Sequence, residues 1–258
     1  MDLAYGDEPV RGLHETMVDA AAVGIDKVVQ VGCDITTSRW AVAAASEHPD
    51  VVATVALHPN EAPRVHAADG PQELAEQLAE IATLARSDRV RAIGETGLDF
   101  FRTGVDGREV QEESFRFHIR LAKQLGKPLM IHDRDAHEDV VRVVLDEGAP
   151  DTVVFHCFSG GVELAQTCAQ HGWYASFAGT VTYKNAQMLR DALLVMPEHL
   201  ILTETDAPFL PPVPHRGQVN SSQLLPLTIA LMAQVRGVEL AEFCERTREN
   251  AFAAFGQW

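Results

Sequence analysis

Four short apolar runs in this sequence each lead to a residue able to bind a cation. Glu95 directly follows VRAIG (90–94), and His132 closes PLMIH (128–132). His156 closes TVVFH (152–156), and Asp206 lies two residues beyond LILTE (200–204). Two imidazoles and two carboxylates brought together make a mixed nitrogen–oxygen site for a divalent metal. Each one alone has a plainer reading, since a single histidine at a strand end is commonly a hydrogen-bonded core residue. Four such endings among seven candidate strands make coincidence a poor account of the set. His58, after VVATVAL (51–57), falls at a similar place and suits either loop structure or a substrate contact. Cys157 beside His156 is a weak candidate nucleophile, because neighbours along a strand point to opposite faces. Neither a G-x-S-x-G elbow nor a G-x-x-x-x-G-K-[ST] phosphate loop occurs.

These residues need elements that carry them to one place. Seven runs, 27–31, 51–55, 90–94, 128–132, 152–156, 173–177 and 200–204, are mostly β-branched and do not alternate. That is the pattern of strands buried on both faces. Helices are expected between them, near 9–24, 36–48, 136–147, 161–171, 184–195, 221–236 and 238–254. Pro71 opens another, with Leu74, Leu78, Ile81 and Leu84 on one face. Phe117, Leu121 and Leu125 sit four apart, and Gly126 follows where a helix cap is wanted. Gly94 and Gly97 flank Glu95, and Gly160 and Gly161 follow His156; each pair suits a turn around a site or a plain strand–helix turn. Strand–helix alternation implies an α/β fold with a parallel sheet. A closed TIM (β/α)₈ barrel needs eight strands, and the first expected element is a helix, so the strand lacking is the N-terminal one. An open doubly wound sheet competes. The barrel is preferred because its strand ends share one mouth, where the four reactive residues meet. No linker or composition shift divides the chain, so one domain over 1–258 is expected.

Composition narrows the chemistry. The 258 residues are 46% hydrophobic, enough for a large core. The net charge of −16 excludes a broad basic footprint on duplex DNA. Any phosphate chemistry must therefore use a metal or a few placed arginines. Cys33, Cys157, Cys168 and Cys244 form no C-x-x-C pair, which points to thiols in a reducing compartment. No apolar stretch reaches the length of a membrane span, and MDLAYGDEPVRG lacks the layout of a signal peptide. A cytoplasmic protein with no membrane partner is expected.

The segments AIGETGLDFFR (92–102), GKPLMIHDRDA (126–136), FHCFSGG (155–161), LTETDAPFLPPVPHRG (202–217) and RENAFAAFG (248–256) resemble, in order and spacing, the TatD family of metal-dependent deoxyribonucleases. The resemblance runs from about residue 10 to the C-terminus. It implies a TIM barrel of the amidohydrolase type that hydrolyses phosphodiester bonds of DNA, with single-stranded DNA or 3′ ends as substrate. It implies two divalent metal ions (Mg, Mn or Zn) bridged by Glu95, with His132 and His156 on one of them. Asp206 then holds a metal or the attacking water and serves as general base, so Glu95 and Asp206 are the catalytic pair; Glu204 lies close by. Arg102, Arg134 and Arg216, in loops beside these motifs, suit a bidentate phosphate clamp or ordinary surface ion pairs.

Two departures bear on this. The family opens with a strand ending in H-x-H, whereas this sequence begins MDLAYGDEP, about where the residues after that motif fall. The expectation is that the strand and both histidines are missing, through an upstream start or a loss. The family also reads R-G-x-x-N-E-P near its end; here RGQVNSS (216–222) keeps Asn220 but has Ser221 and Ser222 instead of Glu-Pro. Two other functions stay open: a hydrolase of the same scaffold acting on an amide, lactone or small phosphoester, and a non-catalytic remnant.

Overall fold

The computed structural model describes residues 12–258. In chain order the described elements are α1 (Leu13–Ala21), β1 (Val28–Val31), α2 (Ile35–Glu47), β2 (Val51–Val55), α3 (Glu61–Leu84), β3 (Val90–Asp99), α4 (Val105–Leu125), β4 (Leu129–Arg134), α5 (His137–Glu147), β5 (Val153–Phe155), α6 (Val162–His171), β6 (Tyr174–Phe177), α7 (Gln187–Val195), β7 (Ile201–Thr203), α8 (Leu225–Arg236) and α9 (Leu240–Phe255). All seven expected strands are present. The start of the helix expected over 9–24, and the N-terminal strand expected to be lacking, fall outside the described residues. Among the described residues no single helix is long and apolar enough to cross a membrane.

The chain forms two compact units. One comprises Val28–His156 and Trp258. In it β1 to β5 run parallel, each paired with the next in chain order. Five consecutive residues of β2 are fully enclosed, which explains why its sequence is apolar but for Thr54. β1 is only half-buried along its length and pairs with β2 alone among the described residues. The other unit comprises 12–27 and Cys157–Gln257. There β6 and β7 pair in parallel, and Arg248 ties α9 to Asp26 at 2.8 Å.

Two expectations need correction, and a third needs an addition. The third strand does not stop at Gly94 but runs to Asp99, so Glu95 lies within it, at a register shift between Ile93 and Thr96. Gly94 and Gly97 are therefore strand residues, not turn residues. At Gly97 (φ +143°) a Cβ would lie 2.0 Å from the His132 carbonyl oxygen, so only glycine lets β3 approach β4 this closely. Pro71 does open a helix, as expected, but a helix not foreseen precedes it, and the two are joined here as α3. α3 starts at Glu61, breaks at Gly70 (φ 89°), and Pro71 begins its second half. On α4 the buried face carries Gln111, Phe115, His118 and Ala122, with Leu121, while Phe117 and Leu125 are half-exposed. Gly126 does close α4 in the left-handed region, as expected (φ 61°).

Candidate metal centre

β3, β4 and β5 bring Glu95, His132 and His156 together in the Val28–His156 unit. Glu95 Oε2 lies 2.7 Å from His156 Nε2 and 3.4 Å from His132 Nδ1. His58, from the loop after β2, joins them, with its Nε2 3.3 Å from His132 Nδ1. The His58 and His132 rings meet edge to face with centroids 4.4 Å apart. One donor atom from each of His58, Glu95 and His132 can be chosen so that all lie within 4.8 Å of one another.

Asp99 is a member of this group that strand-end reasoning missed. It is 1% exposed at the end of β3, with Oδ2 3.3 Å from His132 Nε2. Asn60 Nδ2 donates to the same oxygen at 3.0 Å, and the Arg102 backbone N–H donates to Oδ1 at 2.8 Å. The signal was in the sequence: Glu95, Gly97 and Asp99 alternate along one extended segment and so share a face.

The hydrogen bonds assign the protons. A carboxylate only accepts, so His132 carries a hydrogen on Nε2 toward Asp99, leaving Nδ1 turned to Glu95. The Asn60 backbone N–H donates to His58 Nδ1 at 3.1 Å, so the hydrogen of neutral His58 sits on Nε2. His58 thus presents a donor to the site rather than a lone pair, which argues against it as a metal ligand. Burial lowers its pKa to about 4, Glu95 offsetting only part of the effect, so it is neutral at pH 7.

The electrostatics keep the carboxylates of this group charged. Burial by itself would raise the Glu95 carboxyl, but His156 and His132 beside it hold it well below the usual carboxylate range. Burial likewise works against charging His132, yet Asp99 and Glu95 outweigh it and raise its pKa. Asp99, despite its own desolvation, is kept low by His132, the Arg102 N–H and Asn60. An enclosed carboxylate facing Nδ1 of one imidazole and Nε2 of another is a donor set of the kind that divalent cations take. Glu95, His132 and His156 fit a metal ion on that ground.

Asp206 and Glu204 belong to the other unit. Glu204 leaves β7 with its N–H donating to the Phe177 carbonyl and its Oε1 accepting from the Cys157 N–H at 3.0 Å. A carboxylate oxygen of Glu204 and one of Asp206 lie within 4.8 Å of each other. Asp206 and Cys157 both adopt positive φ, 58° and 43°, a sparsely populated conformation for non-glycine residues. β5 ends at Phe155, so strand alternation does not govern Cys157, contrary to the argument from sequence. Asn220 is buried and clamps the Asp206 loop, donating from Nδ2 to the carbonyls of Thr205 (2.7 Å) and Phe209 (2.6 Å). The serines at 221 and 222 leave that clamp in place. Of the expected arginines, Arg102 is exposed, Arg134 stacks 3.9 Å over the exposed Phe101 ring, and Arg216 stacks 4.3 Å over Tyr183 in the Cys157–Gln257 unit.

Comparison with known proteins agrees with this chemistry. The family described as TatD related DNase matches residues 7–256. A TatD metal-dependent hydrolase of Mycobacterium tuberculosis, itself described as uncharacterized, is 44% identical over 253 residues, 96% of this chain and 92% of that protein. The metal-dependent hydrolase YabD of Bacillus subtilis, also described as uncharacterized, is 36% identical over 94% of this chain and 92% of its own length. The crystal structure of YjjV, a TatD homologue from Escherichia coli, matches with a TM-score of 0.85 at 27% identity, covering 95% of this chain and 92% of that one. The likeness extends over the whole alternation of parallel strands and helices, an α/β fold of the TIM-barrel class expected from sequence.

Proposed function

The chain belongs to the TatD related DNase family of metal-dependent hydrolases, and from that membership we propose that its substrate is DNA, cut at phosphodiester bonds of single strands or 3′ ends. The observation that carries this reading is the enclosed Glu95 carboxylate shared between His132 and His156. A phosphodiester repels an attacking hydroxide by its own charge. Glu95, His132 and His156 would hold a divalent cation, which when bound would supply neutralising charge and make water more acidic.

The chain's own residues do the rest. His58, neutral with its hydrogen on Nε2, donates to a non-bridging phosphate oxygen. Asp206 takes the proton of the attacking water as general base. Asp99 keeps the His132 hydrogen on Nε2 and so fixes which nitrogen faces Glu95. Arg102 and Arg134, in the segments that follow Asp99 and His132 in sequence, are candidates for a phosphate clamp, with Arg216 a third. The net charge of −16 favours frayed or single-stranded substrate over a broad grip on duplex.

The test is cleavage of 3′-labelled single-stranded DNA with Mg²⁺, Mn²⁺ or Zn²⁺, with and without chelator. Activity that needs the metal, and that Asp206→Asn lowers by about 10²–10⁴-fold without changing the melting temperature, supports the reading. Metal-dependent hydrolysis of amides or lactones with no cut DNA would overturn it.

A further inference from the structure

Glu95 has two oxygens, and they face different chemistry. Oε2 looks to His156 and His132, whereas Oε1 lies 3.2 Å from the sulfur of Cys33, in the turn between β1 and α2. The turn holds that sulfur in place. The Cys33 N–H donates to Thr37 Oγ1 at 2.9 Å, and its carbonyl accepts from the His58 N–H at 2.8 Å. Asp34 beside it caps α2, accepting from the Thr37 N–H at 2.6 Å, so the start of that helix is fixed as well. The thiol therefore meets the carboxylate from a braced backbone.

The thiol donates a hydrogen bond to Oε1, and a spacing this short also suits two ligands on one ion. Oxygen at ~2.0–2.2 Å and sulfur at ~2.3 Å from a metal are about 3.0–3.7 Å apart for angles of ~90–110°. The observed 3.2 Å falls inside that interval. Resting on the metal reading above, we propose that Cys33 is a metal ligand in this chain, its sulfur and Glu95 Oε1 together holding a divalent cation and giving the centre a preference for thiophilic ions. As the sulfur–metal bond forms, the S–H proton passes to solvent. A thiolate favours Zn²⁺ and Co²⁺ over Mg²⁺ and Mn²⁺.

Anaerobic titration of the protein with Co²⁺ separates the possibilities, because visible d–d bands report bound cobalt and a near-ultraviolet charge-transfer band reports a sulfur ligand. The wild type should show both. Cys33→Ser should keep the visible bands and lose the charge-transfer band, while Cys244→Ser, altered at an exposed thiol, keeps both. Zn²⁺ affinity should fall at least about tenfold in Cys33→Ser, and Mn²⁺ affinity less than about threefold. Visible bands without the charge-transfer band in wild type, or a charge-transfer band that survives Cys33→Ser, overturn the assignment and leave the metal centre standing. No cobalt bands at all overturn the metal reading and this inference with it.

Discussion

Two groups of carboxylates in the Val28–His156 unit have lowered pKa values for different reasons. On α4 and α5, Glu112 and Glu147 meet Arg116, Arg120 and Arg142. Arg120 Nη2 is 2.7 Å from Glu147, and Arg142 Nη2 is 2.8 Å from Glu112. The Arg120 hydrogen bond, helped by Arg116, brings Glu147 to about 2, and Arg142 holds Glu112 below its ordinary value. At the other group, the partners of Glu95 and Asp99 among the described residues are imidazoles, amides and a thiol. A guanidinium is permanently charged, so the α4–α5 carboxylates are already neutralised and have nothing to gain from a metal. An imidazole is charged only while it holds a proton, and a cation can take that proton's place. A depressed carboxyl pKa alone therefore does not mark a metal site; the kind of partner does.

The contrast is broken most directly by removing one carboxylate from each group. Glu95→Gln should lose metal binding, measured by calorimetry, and hydrolysis with it, by more than the about 10–100-fold that an outer partner of a ligand costs. Glu147→Gln should leave metal binding and turnover unchanged and move stability by only about 1 kcal/mol, as ion pairs at a helix surface do. Equal losses in the two variants would dissolve the distinction. Asp99→Asn sharpens it: the amide still fills the space but holds the His132 hydrogen less firmly, so metal affinity should drop about 10–100-fold with the fold intact.

A smaller effect concerns pH. His118 on α4 is fully enclosed; the Leu57 N–H donates to its Nε2 at 3.2 Å, and its Nδ1 hydrogen bonds the Ser114 carbonyl at 2.7 Å. Burial lowers its pKa from 6.5 to about 4. Between those values the unfolded chain binds a proton that the folded chain refuses, so stability falls as pH drops. Above pH 6.5 the group contributes no slope; down to pH 4 its share of the loss is about 3 kcal/mol. His58 has the same sign, so the check is the difference in urea midpoints between metal-free wild type and His118→Gln across that range. Parallel curves would show that His118 takes up its proton in the folded state.

Much of the architecture is legible in local sequence. Val51–Val55 reads as a strand enclosed on both faces because its apolar residues do not alternate with polar ones, Thr54 alone interrupting them. Gly126 reads as a helix end because its position favours left-handed backbone. Glu95, His132 and His156 announce themselves because each stands at or just past an apolar run. β3 was cut short at Gly94 because ETGLD carries glycine and charge, which discourage a strand assignment. Its extension comes from pairing with β4, where Gly97 faces His132 and Asp99 faces Arg134.

What only the tertiary structure decided is which atoms face each other. Asp99 becomes the partner of His132 across 33 residues of sequence, and Cys33 the partner of Glu95 across 62. The role of His58 turned on one backbone N–H, from Asn60, which fixes the ring's hydrogen on Nε2. Residue type and periodicity are local properties, so they set the strands and name the residues able to bind a cation. The orientation of a ring nitrogen or a carboxylate oxygen depends on hydrogen bonds from strands and loops far along the chain, and these exist only once β1 to β5 lie side by side.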